Sequence, residues 1–456
     1  MKTIDFSGRP FHFIGVGGIG MSAIAHILVK QGFVVSGSDT SSNGVTTKLQ
    51  NLGVKIFQGH SPNNISLIDA PQVVCSTAIR AENTELQVAI ARDLPIWHRS
   101  DLLAALIKQF QSVAVAGTHG KTTTSSLIAY LFLQAGLDPT IVIGGEVSTW
   151  QGNARLGESK YLVAEADESD GSFVKFEPKI GVVTNIELDH PDFYQSLDQV
   201  VEAFVKFTQR CNLVVACIDD LNVQKFLQPD LTYSLFNKAA DYHVTDVKFG
   251  ANGTQALVWE KGQALGEIQL QLLGAHNLSN LLAAIAVSRY VGIEWDKIQT
   301  ALPGFVGARR RFELCGESKG ISFIDDYAHH PSEIRATLAA AKLQAKNRVV
   351  AIFQPHRFSR IQKFLSEFSQ SFNDADLVVV SEIYGAGELN PTYLNGAKVA
   401  EAIAKYHPAV YFQASHAAIQ QFLVEKLEPG DLAIFLGAGN LNSIITPLIA
   451  QISVNA

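Results

Sequence analysis

Two glycine-containing segments of this chain have the spacing that binds phosphate groups. The second, Gly117-Thr-His-Gly-Lys121-Thr122-Thr-Thr, follows an apolar run and precedes a helical pattern. In such a loop the backbone N–H groups surround the phosphates, the lysine contacts the β- and γ-phosphates, and the threonine hydroxyl binds Mg²⁺. Val115 stands where the full pattern has glycine, but the Gly-Lys-Thr core is intact. The segment predicts an ATP site made of Gly117, Thr118, His119, Gly120, Lys121, Thr122 and Thr123.

An earlier glycine loop has the spacing that binds a diphosphate attached to a ribose. Gly15-Val-Gly17-Gly18-Ile-Gly20 lies between an apolar run and a helical pattern, and Asp39 ends the next apolar run. The glycines let backbone N–H groups approach a diphosphate at a helix N-terminus, and the acid binds a ribose hydroxyl. A dinucleotide and a UDP-sugar both satisfy these contacts. Two separate phosphate loops indicate two different phosphate-bearing ligands.

Two acidic segments follow the second loop. They are E-A-D-E-S-D (165–170) and N-I-E-L-D-H (185–190), and each comes directly after an apolar run. Ligands of α/β sheets bind at the carboxyl ends of the strands, and carboxylate oxygens with one imidazole suit Mg²⁺ or Mn²⁺ beside phosphates. Either segment alone is typical of a solvated loop, but the pair after successive strands predicts a metal site.

A third polar group lies near the C-terminus. D-D-Y-A-H-H-P (325–331) and H-R-F-S-R (356–360) follow two further apolar runs. Because the arginine fork binds a carboxylate through two hydrogen bonds, these segments predict a site for a small carboxylate such as a free amino acid. The alternative is a surface ion-pair network. The three arginines at 309–311 fit either a solvated charge run or a group that reaches a nucleotide.

The elements that position these segments alternate between strand and helix patterns. Strands are predicted at 11–16, 34–39, 73–76, 113–116, 161–164, 180–184, 213–218, 321–325, 348–353, 377–381 and 432–436, and helices at 19–30, 122–135 and 277–291. This alternation is typical of parallel sheets with helical crossovers. At roughly 150 residues per domain the length fits about three domains. We predict an α/β protein with domains at 1–110, 111–306 and 307–456 and a hinge at L-P-G-F-V-G (302–307).

Composition restricts the class of protein. Hydrophobic residues make up 47% and charged residues 17% of the 456, which is typical of a globular chain. A net charge of −7 gives no general attraction for nucleic acid, so no nucleic-acid partner is expected. No apolar stretch approaches the ~18 residues that span a bilayer, and the N-terminus lacks the apolar region of a secretory signal. We expect a cytoplasmic protein without membrane insertion, whose four cysteines are buried, reduced thiols.

The sequence resembles the Mur ligases over essentially its whole length. The motifs that carry the resemblance are F-I-G-V-G-G-I-G-M-S (13–22), A-G-T-H-G-K-T-T-T (116–124), E-A-D-E-S-D (165–170), N-I-E-L-D-H (185–190), G-A-H-N-L-S-N (274–280), R-R-R-F (309–312), D-D-Y-A-H-H-P (325–331) and H-R-F-S-R (356–360). They are most similar to the branch that joins L-alanine to UDP-N-acetylmuramate in peptidoglycan precursor synthesis. The resemblance implies a Rossmann-like UDP-binding domain, a central P-loop ATPase-type α/β domain and a C-terminal Rossmann-like domain that binds the amino acid.

The resemblance also implies roles for individual residues. The UDP-sugar site would comprise Gly15, Gly17, Gly18, Gly20, Ser22, Asp39, His60 and Ser76. The metal, Mg²⁺ or Mn²⁺, would be bound by Thr122, Glu165 and His190. ATP would also contact His276, Asn277, Asn280, Arg310 and Asp325. Alanine would contact Tyr327, His329, His356, Arg357 and Arg360. The catalytic residues would be Lys121, Glu165, His190 and His329.

The implied substrates are UDP-N-acetylmuramate, L-alanine and ATP, and we expect a monomer or a weak homodimer. ATP would phosphorylate the sugar carboxylate to an acyl phosphate, and the alanine amine would then displace phosphate, with His329 as a candidate base. Several related ligases carry a carbamylated lysine after the D-H motif. Lys206 lies in a helical pattern at a different spacing and is not assigned that role, and Ala328 replaces the commoner glycine.

Three other functions compete with this interpretation. A sister ligase that adds a preformed peptide to the same sugar nucleotide, in wall recycling, shares most of the motifs. A nicotinamide-dependent oxidoreductase accounts for the first glycine loop but leaves the P-loop and the acidic segments without a purpose. A regulatory ATP-binding switch does not need the C-terminal arginine and histidine residues.

Overall fold

The computed structural model describes residues 3–390 and 393–454. These form two compact units. Among the described residues, the first consists of 3–186, 201–232 and 283–298, and the second of 187–200, 233–282, 299–390 and 393–454. Each sheet contains parallel strands connected through helices, so the predicted α/β class is confirmed. The predicted domain boundaries near 110 and 306 stay predictions.

The first unit begins with a five-stranded parallel sheet. Its strands are β1 (Phe11–Ile14), β2 (Val35–Asp39), β3 (Lys55–Gln58), β4 (Gln72–Cys75) and β5 (Ile96–His98). Its helices are α1 (Ile19–Lys30), α2 (Gly44–Asn51), α3 (Pro62–Ser66), α4 (Thr84–Ala91) and α5 (Arg99–Gln109). The order across the sheet is β3-β2-β1-β4-β5. Every residue of β1 is buried, as expected for a central parallel strand covered on both faces.

A second sheet of this unit carries the P-loop. Its strands are β6 (Gln111–Ala116), β7 (Thr140–Val147), β8 (Gly152–Arg155), β9 (Tyr161–Glu165), β10 (Ile180–Val183) and β11 (Leu213–Cys217), in the order β11-β10-β6-β9-β7-β8. Only β8 pairs antiparallel within this set. The helices that follow its strands are α6 (Lys121–Gln134), α7 (Leu197–Thr208) and α8 (Leu221–Phe226). Because β6 and β9 are adjacent and parallel, their carboxyl ends meet at one edge, as the sequence predicts.

After α8 the chain forms a group of strands that the sequence did not predict. These are β12 (Leu231–Ser234), β13 (Tyr242–Gly250), β14 (Gly253–Glu260) and β15 (Gln263–Leu270), of which the last three form an antiparallel meander. Along β14 and β15 exposed or half-buried residues are mixed with buried ones, so one face is solvated and no long apolar run marks the strands. The helices α9 (Ala275–Tyr290) and α10 (Trp295–Ala301) follow.

The C-terminal sheet has six strands around a buried parallel centre. They are β16 (Glu313–Ser318), β17 (Ile321–Asp326), β18 (Val349–Phe353), β19 (Leu377–Val380), β20 (Val410–Phe412) and β21 (Leu432–Leu436). The order is β16-β17-β21-β18-β19-β20, and only the edge strand β16 is antiparallel. The helices are α11 (Pro331–Gln344), α12 (Phe358–Ser369), α13 (Gly396–Ala404), α14 (His416–Lys426) and α15 (Ile445–Val454).

The predicted strands and helices are all present, with ends displaced by at most two residues. The predicted hinge begins with a 3-10 turn at Leu302–Gly304 and ends at Gly307, whose φ is +89°. The prediction of buried cysteines holds for Cys217, whereas Cys75 and Cys211 are half-buried and Cys315 is exposed on the edge strand β16. None of these four described cysteines forms a disulfide. Among the described residues, no helix combines the length and apolar character needed to cross a membrane.

Candidate functional site

The P-loop between β6 and α6 is fixed by the end of β10. Gly117 has φ +141°, and a Cβ there would lie 1.8 Å from Thr184 Oγ1, so only glycine fits. Thr184 Oγ1 donates to the His119 carbonyl at 2.6 Å, and the Asn185 amide accepts from His119 N at 2.9 Å and donates to its carbonyl at 3.1 Å. The loop therefore holds its shape at a helix N-terminus, where anions bind best.

The predicted phosphate-binding lysine lies inside this loop. Lys121 Nζ donates to the carbonyls of Gly117 at 2.8 Å and Thr118 at 3.2 Å, and it pairs with Glu168 Oε2 at 2.7 Å. Burial alone would lower the pKa of Lys121, but the carboxylates of Glu168, Asp167 and Glu165 outweigh it and raise the pKa above its ordinary value. The ammonium is therefore charged across the physiological pH range.

Two of the three predicted metal ligands are adjacent at the same edge. Thr122 Oγ1 lies 3.1 Å from each carboxylate oxygen of Glu165, the last residue of β9. Glu165 also accepts the Gly144 N–H at 2.7 Å, from β7. A hydroxyl and a carboxylate beside a P-loop lysine are the hard oxygen donors that Mg²⁺ takes, so these residues fit the ion. His190, the third predicted ligand, belongs to the second unit, where it has φ +53°.

The first glycine loop follows β1 and is tied to β2. Gly15, with φ +79°, donates its N–H to the Ser38 carbonyl at 2.8 Å. Gly17 N–H donates to Asp39 Oδ2 at 2.8 Å, so the predicted ribose ligand also shapes the loop. Ser22 is buried and its hydroxyl donates to the Ile19 carbonyl in its own helix. The assignment of Ser22 to the UDP-sugar site stays a prediction.

A buried carboxylate that the sequence did not reveal orders the rest of this site. Glu85, on α4, is 0% exposed and accepts hydrogen bonds from Ser38 Oγ at 2.7 Å and Asn64 Nδ2 at 2.6 Å, and it lies 3.0 Å from His12 Nε2. Ser38 Oγ in turn lies 3.0 Å from Nδ1 of His60, a predicted UDP-site residue. In the sequence Glu85 is one acid in a helical pattern, and no spacing marks it as buried.

In the second unit Asp189 forms an ion pair with Arg360, a residue predicted to bind the substrate alanine. Asp189 accepts from Arg360 Nε at 2.9 Å and Nη2 at 3.2 Å, and the two residues are 5% and 2% exposed. Burial alone would raise the pKa of Asp189, but the charges of Arg360 and His190 hold it well below the usual range. A fork-to-fork ion pair away from water therefore fixes the first turn of α12.

The neighbouring histidines are held in opposite tautomers. His329 Nδ1 lies 2.9 Å from the Tyr327 carbonyl, which only accepts, so Nδ1 carries the hydrogen and Nε2 offers a lone pair. His356 Nδ1 lies 3.1 Å from Arg360 Nη1, which only donates, so Nε2 carries the hydrogen. Burial lowers the pKa of His329 to about 3 and that of His356 to about 4, with Arg360 adding to both shifts. Both rings are neutral at pH 7.

These side chains form one polar patch at the carboxyl ends of β17 and β18. The ring centroids of Tyr327 and His329 lie 5.2 Å apart, and those of His329 and His356 5.8 Å apart. Arg357, with φ +66°, donates to Asp192 at 2.9 Å. The patch therefore contains a ring acceptor, a ring donor and Arg357, which are groups that recognise an amine and a carboxylate. Arg360 is already bound to Asp189 and His356, so its assignment to the alanine site stays a prediction.

The other predicted ATP residues in this unit form two local sets. Arg310 donates to Asp325 at 3.2 Å and to the Gly437 carbonyl at 2.7 Å, and its guanidinium lies 5.0 Å from the Tyr327 ring centroid. Asn277, near the start of α9, donates to the Leu273 carbonyl at 2.8 Å.

The second set is completed by Asn280 and His276. Asn280 Nδ2 lies 3.5 Å from Asn277 Oδ1, and burial lowers the pKa of His276 to about 4, so its ring is neutral at pH 7. Lys206, by contrast, is 56% exposed and pairs with Glu202 one helical turn away.

Comparison with known proteins gives matches along nearly the whole chain. Residues 10–111 match the Mur ligase family, catalytic domain, residues 115–288 the Mur ligase middle domain, and residues 310–439 the Mur ligase, glutamate ligase domain. A UDP-N-acetylmuramate–L-alanine ligase of Nostoc sp. is 54% identical, with 100% of this chain and 99% of the relative covered. One of Thermosynechococcus vestitus is 56% identical, with 98% and 97% covered.

Solved structures give the same result for the fold. The UDP-N-acetylmuramate-alanine ligase of Thermotoga maritima superposes with a TM-score of 0.84 at 30% identity, over 98% of this chain and 100% of that one. The murein peptide ligase of Psychrobacter arcticus superposes with a TM-score of 0.72 at 24% identity, over 98% and 99%, and shows the fold alone.

Proposed function

This chain belongs to the Mur ligase family, and we propose that it joins L-alanine to the carboxylate of UDP-N-acetylmuramate in peptidoglycan precursor synthesis. ATP is converted to ADP and phosphate. One observation carries the proposal: the first unit holds two phosphate loops, with Lys121 and the Thr122–Glu165 pair at one and Asp39 and His60 at the other. Two loops of this kind accommodate a nucleoside triphosphate and a nucleoside diphosphate sugar.

The first step activates the sugar carboxylate. A carboxylate oxygen attacks the γ-phosphorus of ATP, and the bond from that phosphorus to the β,γ-bridging oxygen breaks. The products of this step are ADP and an acyl phosphate of the sugar. Phosphoryl transfer depends on position and on neutralised charge. The Lys121 ammonium supplies charge, and Thr122 and Glu165 would hold Mg²⁺, which neutralises further phosphate charge when bound, while the assignment of His190 to the metal stays a prediction.

The second step forms the amide. The neutral alanine nitrogen attacks the acyl carbon, the bond from that carbon to the phosphate oxygen breaks, and the departing phosphate takes the proton that the nitrogen loses. His329 Nε2, with its lone pair, accepts a hydrogen bond from the amine, and His356 Nε2–H donates to the alanine carboxylate. A pKa of about 3 makes His329 a weak base, so its contribution is to orient the amine more than to remove the proton. This is a more limited role than that of the general base expected from the sequence.

The peptide-adding ligase is the second candidate. It shares the fold, as the murein peptide ligase of Psychrobacter arcticus illustrates, but the 54–56% identical relatives that extend over the whole chain bear the name of the alanine ligase. We therefore place alanine first.

An isotope experiment tests the mechanism. UDP-N-acetylmuramate labelled with ¹⁸O in its carboxylate is incubated with ATP, Mg²⁺ and L-alanine, and the released phosphate is analysed by mass spectrometry. An acyl phosphate predicts one ¹⁸O in each phosphate that accompanies an amide. Unlabelled phosphate would refute the activation step, and UDP-N-acetylglucosamine, which lacks the carboxylate, is the control that should give no turnover.

A further inference from the structure

An arginine that none of the predicted sites includes lies at the first glycine loop. Arg99 is the first residue of α5 and directly follows β5. In the sheet order β1-β4-β5 all pairs are parallel, so the end of β5 lies at the same edge as the loop after β1. The topology thus brings this side chain to the diphosphate edge from a segment far along the sequence.

The guanidinium lies over the start of α1. A Cβ added at Gly20 would lie 3.1 Å from Arg99 Nη1, so glycine at this position leaves room for the arginine. The N-cap of α1, Gly18, contributes no side-chain hydrogen bond, and the first turn contains no acidic residue. A helix N-terminus without a side-chain cap and an arginine beside it together favour a doubly charged anion.

The charged partners of Arg99 are too distant to satisfy it. Arg99 Nη2 lies 3.6 Å from Asp167 Oδ2 and 3.6 Å from Asp170 Oδ2, whereas charge-assisted N–H···O bonds are about 2.7–2.9 Å long. The side chain is only 20% exposed, so water reaches a small part of it. Guanidinium N–H groups that are largely buried and lack good acceptors lower the stability of the fold, unless a ligand accepts their hydrogen bonds.

The backbone of Arg99 is held in place on both sides. His98 Nδ1 accepts from the Ser100 N–H and caps α5, and Asp101 accepts the His98 N–H at 2.9 Å. Asp101 also pairs with Lys175 at 2.6 Å. The guanidinium therefore extends from a fixed point, which favours a ligand-binding role because little backbone order is lost on binding.

We propose that Arg99 binds the diphosphate of the sugar nucleotide, together with the N–H groups of the first glycine loop. The inference rests on the proposed function and adds a residue to it. The diphosphate accepts the hydrogen bonds of the guanidinium that Asp167 and Asp170, each 3.6 Å from Arg99 Nη2, leave incomplete.

Calorimetry with UDP and with UDP-N-acetylmuramate tests the assignment. Loss of a bidentate charge-assisted contact in Arg99→Gln should weaken both ligands by about 30-fold, which is about 2 kcal/mol. ATP affinity should be unchanged, and Arg99→Lys, which keeps the charge but not the fork, should weaken both ligands less than Arg99→Gln. An Arg99→Gln variant with wild-type affinity for UDP would overturn the proposal, as would weakened binding of UDP-N-acetylmuramate but not of UDP.

Asp170→Asn is the matched control, because it breaks the same ion pair from the other side. If Arg99 only joins segments of the fold, Asp170→Asn should weaken UDP binding as much as Arg99→Gln does, and that result would refute the assignment. The proposal instead predicts unchanged or tighter UDP binding in Asp170→Asn. Wild-type protein that binds UDP but not UDP-N-acetylmuramate would contradict the proposed function and leave the Arg99 assignment standing on UDP alone.

Discussion

The buried ion pair between Asp189 and Arg360 gives the sharpest stability prediction. The substitution Asp189→Asn keeps the side-chain shape but removes the negative charge that faces Nε and Nη2 of Arg360 at 2.9 and 3.2 Å. Because both residues are at most 5% exposed, water cannot replace the lost partner. An arginine left buried without its counter-ion costs about 3–5 kcal/mol.

The pH dependence has a definite sign. The folded-state pKa of Asp189 lies well below the usual range, while an unfolded aspartate titrates near about 3.9. A carboxyl group whose pKa is lower in the folded state stabilises the fold at pH values above its unfolded-state pKa. That stabilisation is lost as the pH falls through the folded-state pKa. The difference in free energy of unfolding between wild type and Asp189→Asn should therefore have its full size at pH 7 and decrease only below about pH 4.

Native-state hydrogen exchange measures the effect where it occurs. A chain with two compact units need not unfold in one step, so amides of α12 are a better probe than a global transition. Their exchange should accelerate by about 10²- to 10⁴-fold in Asp189→Asn. Lys342→Gln, which removes an exposed pair with Asp376, should change exchange of its own helix by less than about threefold. If hydrogen exchange changed by less than about threefold in both variants, the Asp189–Arg360 ion pair would not stabilise α12.

Three further predictions concern the phosphate sites. Lys121→Ala removes the charge at the P-loop and should lower the rate of ADP formation by about 10³-fold or more in a coupled assay, while UDP affinity stays at the wild-type value. Glu85→Gln should raise the KM for the sugar nucleotide by about tenfold with little change in the KM for ATP, because the hydrogen bonds that order the UDP site lose their charged acceptor; equal increases would point to a general folding defect. Gly117→Ala should abolish ATP binding in calorimetry because its Cβ meets Thr184, whereas Gly136→Ala, with φ +80° and no neighbour within 4 Å, should lose stability but bind ATP.

Sequence reasoning located most of the strands whose buried residues form apolar runs, although it missed β7, which begins with four buried residues. Strands β6, β10, β18 and β21 are almost wholly buried, and their apolar runs ended at the polar segments that line the sheet edges. The strands of the meander β13–β15 were not predicted, because most of their residues are exposed or half-buried and charged residues interrupt the apolar ones. The edge strands β3 and β5 were not predicted from the sequence because they are short and only partly buried.

The same limit applies to individual site residues. Lys121, Thr122 and Glu165 lie in short motifs whose spacing reports their geometry, so they could be predicted. Glu85 and Arg99 act through contacts between segments distant in sequence, and in a helical pattern a buried acid and a solvated acid look alike. Tertiary packing determines the positions of both Glu85 and Arg99, and the spacing of residues within one motif does not predict it.

The most direct test of the central claim is phosphate release from ATP with UDP-N-acetylmuramate and Mg²⁺, with L-alanine or a cell-wall tripeptide added in turn. We expect release that requires both the sugar nucleotide and L-alanine, with the amide product formed in equal amount. Release with the tripeptide and not with L-alanine would contradict the alanine assignment, and no release with either acceptor would contradict the ligase mechanism itself.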